Sequence, residues 1–184
     1  MGFKWIYIMC IFTFMQLLLT GCSSETMEDV MREVKSTNLS NENIDDIRMG
    51  MSIIDASFAN SYGDFEQHPA NEHYASQRNY DQYWNKDIIM SVDRETKEIL
   101  QVGILETNNR SSSELGIKRG SSIEEVIATY GENYFTYEDR EQTIYIIGYV
   151  DTQNNLELSF RHFNGEVKGI NFGYAFDKMS WDTK

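Results

Sequence analysis

The chain has 184 residues, with 16 Lys and Arg against 29 Asp and Glu, two cysteines and a formal net charge of −13. That balance argues against nucleic acid, whose binding needs clustered Lys and Arg to displace counterions, and against a protein surface that clings to anionic lipid. Two cysteines are too few for a disulfide scaffold, so the fold must rest on its apolar core.

Residues 6–19 are largely apolar and follow a single positive side chain, Lys4. The run is too short to span a bilayer, which takes about 20 residues. It ends in Leu19-Thr20-Gly21-Cys22, where two small residues let the chain enter a peptidase in extended form and a thiol can accept a diacylglyceryl group. This stretch resembles the lipobox of bacterial lipoproteins at all four positions. The resemblance implies a signal peptide over residues 1–21, cleavage before Cys22, and diacylglycerol on Cys22, with or without an N-acyl chain. The rival reading is an uncleaved signal anchor with an incidental cysteine. Cleavage would remove Lys4 and Cys10 and leave 163 residues with a net charge of −14 and no free thiol. The acyl chains, at about 0.8 kcal/mol per buried methylene, would then hold the chain on the extracytoplasmic face of a cell membrane.

Residues 22–44 read as a lipidated tether, polar and acidic, with Asn and Ser clustered over residues 36–43. Within it Met27, Val30, Met31 and Val34 share one helical face. Such a helix either meets a membrane or partner, or docks on the body. Its acidic polar face favours docking, since interfacial helices usually carry Lys and Arg there.

The body repeats itself. Residues 47–55 and 117–125 each carry a Gly, then a Ser followed three residues later by an acid: Gly50, Ser52 and Asp55; Gly120, Ser122 and Glu125. Ser with an acid at that spacing marks a helix start, and the following segments close on Tyr62-Gly63 and Tyr130-Gly131, where Gly suits a helix end. Further on, Ile88, Met90, Val92, Ile99, Val102 and Ile104 match Leu156, Leu158, Phe160, Val167, Ile170 and Phe172 at a constant offset of 68. Alternation through these stretches predicts strands with one buried face, and Asn164-Gly165 predicts a tight hairpin. The first copy has a longer polar loop, residues 93–97, in that place. The expected fold is α+β: two tandem units, at residues 45–107 and 108–184, each with one or two helices packed on a three- to four-stranded antiparallel sheet.

The opening Ile47-Arg48-Met49-Gly50-Met51-Ser52, followed by a helix ending in Tyr62-Gly63, is similar to the start of BamE/SmpA-type lipoproteins. Tandem duplication of such a unit resembles the β-lactamase inhibitor protein (BLIP-like). The second copy keeps Gly120, Ser122, Glu125 and Gly131 but has Ser121 in place of the Met. The resemblance implies a binding role in envelope assembly or inhibition. It carries over no contact residues, and inhibition of a β-lactamase is not expected.

No catalytic pattern stands out. His68 and His73 are five apart, which shares a face of neither helix nor strand, so a metal site with Glu66 or Glu72 is disfavoured against two solvated loop histidines. Residues 151–155 lack the alternating ligands of a calcium loop and read as a turn. The aromatic residues Tyr74, Tyr80, Tyr83 and Trp84 sit among polar neighbours and are the candidate partner-binding residues. They serve either as a recognition surface or as filler of the seam between units, with Trp84 closer to core. The face bearing Asn171, Gly173 and Ala175 is a second surface another chain could approach closely. The chain is thus read as a non-enzyme without cofactor or metal: a lipid-anchored module that binds membrane through its lipid and recognises a protein, as an inhibitor, immunity factor or envelope-assembly accessory. The alternative is a hydrolase of cell-envelope material, which would need two carboxylates brought together in a cleft.

Overall fold

Alternating apolar residues in the second half of the chain build long strands, and the strands dominate the molecule. A computed structural model describes residues 25–139 and 142–181; the leader and Cys22 lie outside the described residues. The elements are α1 (Met27–Glu33), α2 (Ala56–Tyr62), β1 (Glu66–Gln67), α3 (Asn71–Tyr74), β2 (Tyr80–Trp84), β3 (Ile88–Asp93), β4 (Ile99–Ile104), α4 (Ile123–Tyr130), β5 (Phe135–Asp139), β6 (Ile144–Asp151), β7 (Leu156–Phe163) and β8 (Glu166–Tyr174). All strands join one eight-stranded sheet in the order β1-β2-β3-β4-β8-β7-β6-β5, and every pairing is antiparallel.

The expected pair of tandem α+β units is therefore incorrect: the fold is one sheet-dominated body with a few short helices. The physical reason lies at the join. β4 and β8, the last strand of each sequence copy, pair through Gln101–Gly173, Val102–Phe172 and Gly103–Asn171. Two edges that would otherwise expose unpaired backbone satisfy each other. A single row of side chains, Tyr83, Met90, Val102, Phe172, Leu158 and Tyr149, then crosses six strands on one face. Met90, Val102, Leu158 and Tyr149 are fully buried, Phe172 nearly so, and one apolar cluster contains residues from both copies. All twelve residues matched at the offset of 68 are buried in that cluster.

The helices are short because each only covers part of this core. Ser122 caps α4 as the sequence predicts: its side chain accepts from the Glu125 N–H while the Glu125 carboxylate accepts from the Ser122 N–H at 2.7 Å. α2 starts later, at Ala56, and its N-cap Asp55 makes no side-chain capping bond. The extra residues of the first copy fall in the turn before α2. Ser52 and Ser122 still do the same thing, forming isolated bridges to Glu98 and Glu166 beside β4 and β8. Gly63 and Gly131 end both helices at positive φ, with N–H groups reaching Ala59 and Ile127 carbonyls.

Residues 26–47 belong to the folded body. Met31 packs with Phe135 and Val150 on the outer face of the sheet, joined by Met27, Val30, Val34, Ile146 and Phe176. Past α1, Thr37 N–H donates to the Val150 carbonyl at 2.8 Å and Leu39 N–H to Asp151 Oδ2 at 2.9 Å. Asp151 also accepts from the N–H groups of Gln153 and Asn154 and from the Asn154 amide, which closes the β6–β7 turn. Burial raises the Asp151 carboxyl, but these hydrogen bonds outweigh it and hold the carboxyl below its usual range.

The β4–β8 join needs glycine in one place more than the other. A Cβ on Gly173 would meet the Leu100 carbonyl at 3.0 Å and Gln101 Cβ at 3.1 Å, whereas on Gly103 it would meet the tip of the Asn171 side chain and, at an ordinary 3.4 Å, Ile89 Cγ2. Leu100 is left unmatched where the β3–β4 register shifts, and its backbone cannot move aside cheaply; a side-chain amide can. Gly173→Ala is expected to cost about 1–3 kcal/mol and Gly103→Ala under about 1 kcal/mol, read as the difference in urea midpoints of the two variants.

Candidate groove at the β1–β2 edge

Trp84 is the last residue of β2, and alternation along that strand sends it to the outer face with Tyr80 and Gln82, while Tyr83 faces the core opposite Met90. Short β1 and the end of α2 leave the sheet edge incompletely covered here. Tyr62, Gly63, Asp64, Glu66, Trp84, Asn85 and Lys86 line an open groove of about 560 Å³. Trp84 is 37% exposed, so it is not the core residue the sequence favoured. Its indole is held by the His68 ring, edge-on at 5.0 Å between centroids. His68 is itself fixed, because its Nδ1 accepts from the Ala70 N–H at 3.2 Å. An aromatic wall with two carboxylates and one ammonium on its rim suits a ligand that brings a cation together with an apolar stem.

The other three predicted aromatics serve the fold. Tyr83 packs against the core, and its hydroxyl accepts from Gln67 Nε2 at 3.1 Å. Tyr74 and Tyr80 enclose the guanidinium of Arg78, with Cζ 5.2 and 4.8 Å from their ring centroids, and Trp181 completes the box at 5.7 Å. Arg78 is 5% exposed. It donates to Asn71 Oδ1 at 2.7 Å, and its Nε has no hydrogen-bond partner among the described residues. The cage formed by these tyrosines is filled by the chain's own arginine. It clasps the C-terminal segment, with help from the Asn79 amide donating to the Lys178 carbonyl and the Ser180 N–H donating to Asn79 Oδ1. His73 stacks edge-on against Tyr74, and His162 sits beside Tyr145 on β7. Among the described residues no group of three His, Cys, Asp or Glu is placed to hold a metal ion.

No protein-family model matches the chain. No curated protein matches it. Among solved structures it is similar to an extracellular protein containing a SCP domain from Bacillus anthracis str. Ames, with 9% identity and a TM-score of 0.41 over 74% of this chain. The match spans about half of that protein, 49% of its length. A likeness this loose carries no argument about fold or function.

Two features escaped sequence reasoning. Glu42 and Glu114 line one cleft of about 290 Å³ with Thr129 and Tyr130, the kind of carboxylate approach a hydrolase would use. Glu42 is 5% exposed, and both its oxygens are occupied. Oε1 accepts from the N–H groups of Asn43 and Glu114, and Oε2 from the Tyr130 hydroxyl at 2.8 Å. The Asn43 amide bridges to the Glu114 carboxylate. Burial pushes the Glu42 carboxyl up, and Glu114 adds to that, against the hydrogen bonds that lower it. With its lone pairs spent on loop backbone, Glu42 clamps residues 42–43 to residues 113–114 and to α4. No spacing in the sequence signals this, because its partners lie 72 and 88 residues away.

The second feature is Glu157, on the outer face between Val150 of β6 and Gly173 of β8. Burial pushes its carboxyl up to about 7, and a hydrogen bond with Ser159 offsets part of the rise. The outer face near Asn171 and Gly173, predicted to admit another chain, admits the chain's own β4 at Gly173.

Proposed function

We propose that this protein is a lipid-anchored extracytoplasmic binding module that recognises a protein through the groove at Trp84. The observation that carries the reading is an exposed indole, pinned by His68, in an open groove whose rim bears Asp64 and Glu66. A rigid aromatic at a groove wall supplies contact area at little entropic cost. The acidic rim and the net charge of −14 on residues 22–184 favour a partner segment carrying Lys or Arg beside apolar side chains, and would speed its encounter at low ionic strength. The Leu19-Thr20-Gly21-Cys22 stretch supports anchoring through diacylglycerol on Cys22. The partner then reaches the module from outside the membrane.

The reading is tested in cells by placing a photo-crosslinking amino acid at Lys86, on the groove rim, and a second one at exposed Thr136 on β5. A protein adduct from position 86 that is missing from position 136 is the expected outcome. Adducts of equal yield at both positions would show that the groove is not the recognition surface. In the same cells Cys22→Ala is expected to abolish acyl labelling and release the chain from the membrane fraction; retention of both would overturn the anchor.

A further inference from the structure

We infer that the β5–β6 end of the sheet, with α1, faces the bilayer and that the Trp84 groove is carried at the far edge, turned away from lipid. This rests on lipidation of Cys22 as proposed above. Only three residues separate Cys22 from Thr26, the N-cap of α1, and the four extended steps between them reach at most about 14 Å. From Thr26 onward there is no slack. Thr26 and Asp29 form a complete capping box. Met27, Val30, Met31 and Val34 are seated on Phe135, Ile146 and Val150, and Arg32 lies 4.4 Å over the Phe176 ring. Beyond the helix the chain is stapled to β6 through the Thr37–Val150 and Leu39–Asp151 hydrogen bonds.

α1 lies along β5, since Glu25 before it and Val30, Glu33 and Val34 line one groove with Tyr134, Phe135 and Thr136. β5 is the terminal strand of the sheet, and β2, which bears Trp84, is six strand steps away. At about 4.8 Å per step this is about 29 Å, twice the reach of the tether. The body could approach lipid with its other edge only by lying flat. Its acidic surface opposes that on an anionic bilayer within a Debye length of about 8–10 Å. The anchor therefore sets orientation as well as location, and it leaves the groove open to a soluble or membrane-borne partner arriving from outside.

The test uses residues 22–184, in which Cys22 is the only cysteine and Trp84 and Trp181 the only tryptophans. Cys22 is coupled to a maleimide phospholipid in vesicles of phosphatidylcholine and phosphatidylglycerol that carry a dansyl lipid as energy acceptor. One protein keeps Trp84 as sole donor (Trp181→Phe). A second has its donor on β5 (Thr136→Trp, Trp84→Phe, Trp181→Phe), and a third has it at Glu132 (Glu132→Trp, same background), each checked for folding by circular dichroism. Transfer at least twofold more efficient from positions 136 and 132 than from Trp84 is the expected result. Equal transfer, or stronger transfer from Trp84, overturns the orientation. Inserting twelve Gly and Ser residues between Cys22 and Thr26 is expected to erase the difference, and its persistence would show that the short tether does not set it. Chemical coupling bypasses natural lipidation, so a chain that is never acylated in cells would fail the Cys22→Ala experiment without altering this one.

Discussion

Glu157→Gln is expected to stabilise the folded chain by about 2 kcal/mol at pH 8 and to change stability little at pH 4. Glu157 follows inward-facing Leu156 on β7 and so points to the outer face, where its cross-strand neighbour Val150 belongs to the apolar cluster built under α1. Desolvation there pushes the carboxyl up to about 7, against the hydrogen bond with Ser159. Because the folded-state value lies above the unfolded one, the folded chain keeps a proton between about pH 4.5 and 7 that the unfolded chain has lost. Stability therefore falls as pH rises through that window, and the full penalty is present above pH 7. A displacement of this size corresponds to about 3 kcal/mol, lowered to about 2 because Glu157 as a residue is only half-buried. Gln keeps the shape and the polar contact without the charge. Urea unfolding of residues 22–184 at pH 4, 6 and 8 reads the effect; a gain that is the same at all three values would show that Glu157 is not desolvated. Asp151 predicts the opposite trend at low pH. Its carboxyl is held below the usual range, so the stability it contributes is present above about pH 4 and is lost as pH falls through its folded-state value.

Trp84→Ala is expected to weaken partner binding by 30-fold or more, about 2 kcal/mol, with the melting temperature nearly unchanged. Trp84 is exposed and makes one ring contact, to His68, so little folding energy depends on it. Tyr80→Ala should behave in reverse. Its ring covers the buried Arg78 guanidinium, whose Nε has no partner among the described residues, and water admitted there would loosen the segment held through Trp181. The expected result is a melting temperature several degrees lower, with partner affinity retained once the protein is folded. Glu66→Lys should lower the association rate at low salt and leave dissociation nearly unaltered, since it lies on the groove rim.

Much of the local structure was legible because it depends on near neighbours. The Ser122 and Glu125 pair predicts α4, Asn164-Gly165 predicts the β7–β8 turn, where both residues take positive φ, and the alternation through residues 156–174 assigns the core face of β7 and β8, whereas Phe176, expected on that face, joins the outer cluster under α1. The matched apolar positions at the offset of 68 identify core residues in both copies. What this pattern could not convey is how two similar halves meet. Edge pairing between β4 and β8 is carried by three residue pairs, and Gly173, which permits it, reads in the sequence as a bulge or as an opening for a partner. Tandem units were therefore expected where one sheet exists. α1 shows the same limit: its apolar face was evident, but that it lies on Phe135 and Val150 depends on residues about 100 positions away.

For the candidate site, composition grouped four aromatic residues that the fold then separates. Tyr74, Tyr80, Tyr83 and Trp84 all sit among polar neighbours in the sequence, yet strand alternation and the position of Arg78 divide them. Arg78 lies between Tyr74 and Tyr80 in the chain, and its capture by both rings could have been suspected from a lone cation flanked by aromatics. The exposure of Trp84 could not, because it arises from the short β1 and the end of α2, which leave the sheet edge open.

The most direct test is capture of envelope proteins on immobilised residues 22–184, run beside the Trp84→Ala and Tyr80→Ala variants after both are shown to be folded. A protein retained by the parent and by Tyr80→Ala but lost from Trp84→Ala is the predicted result. A partner retained equally by Trp84→Ala would contradict recognition through this groove.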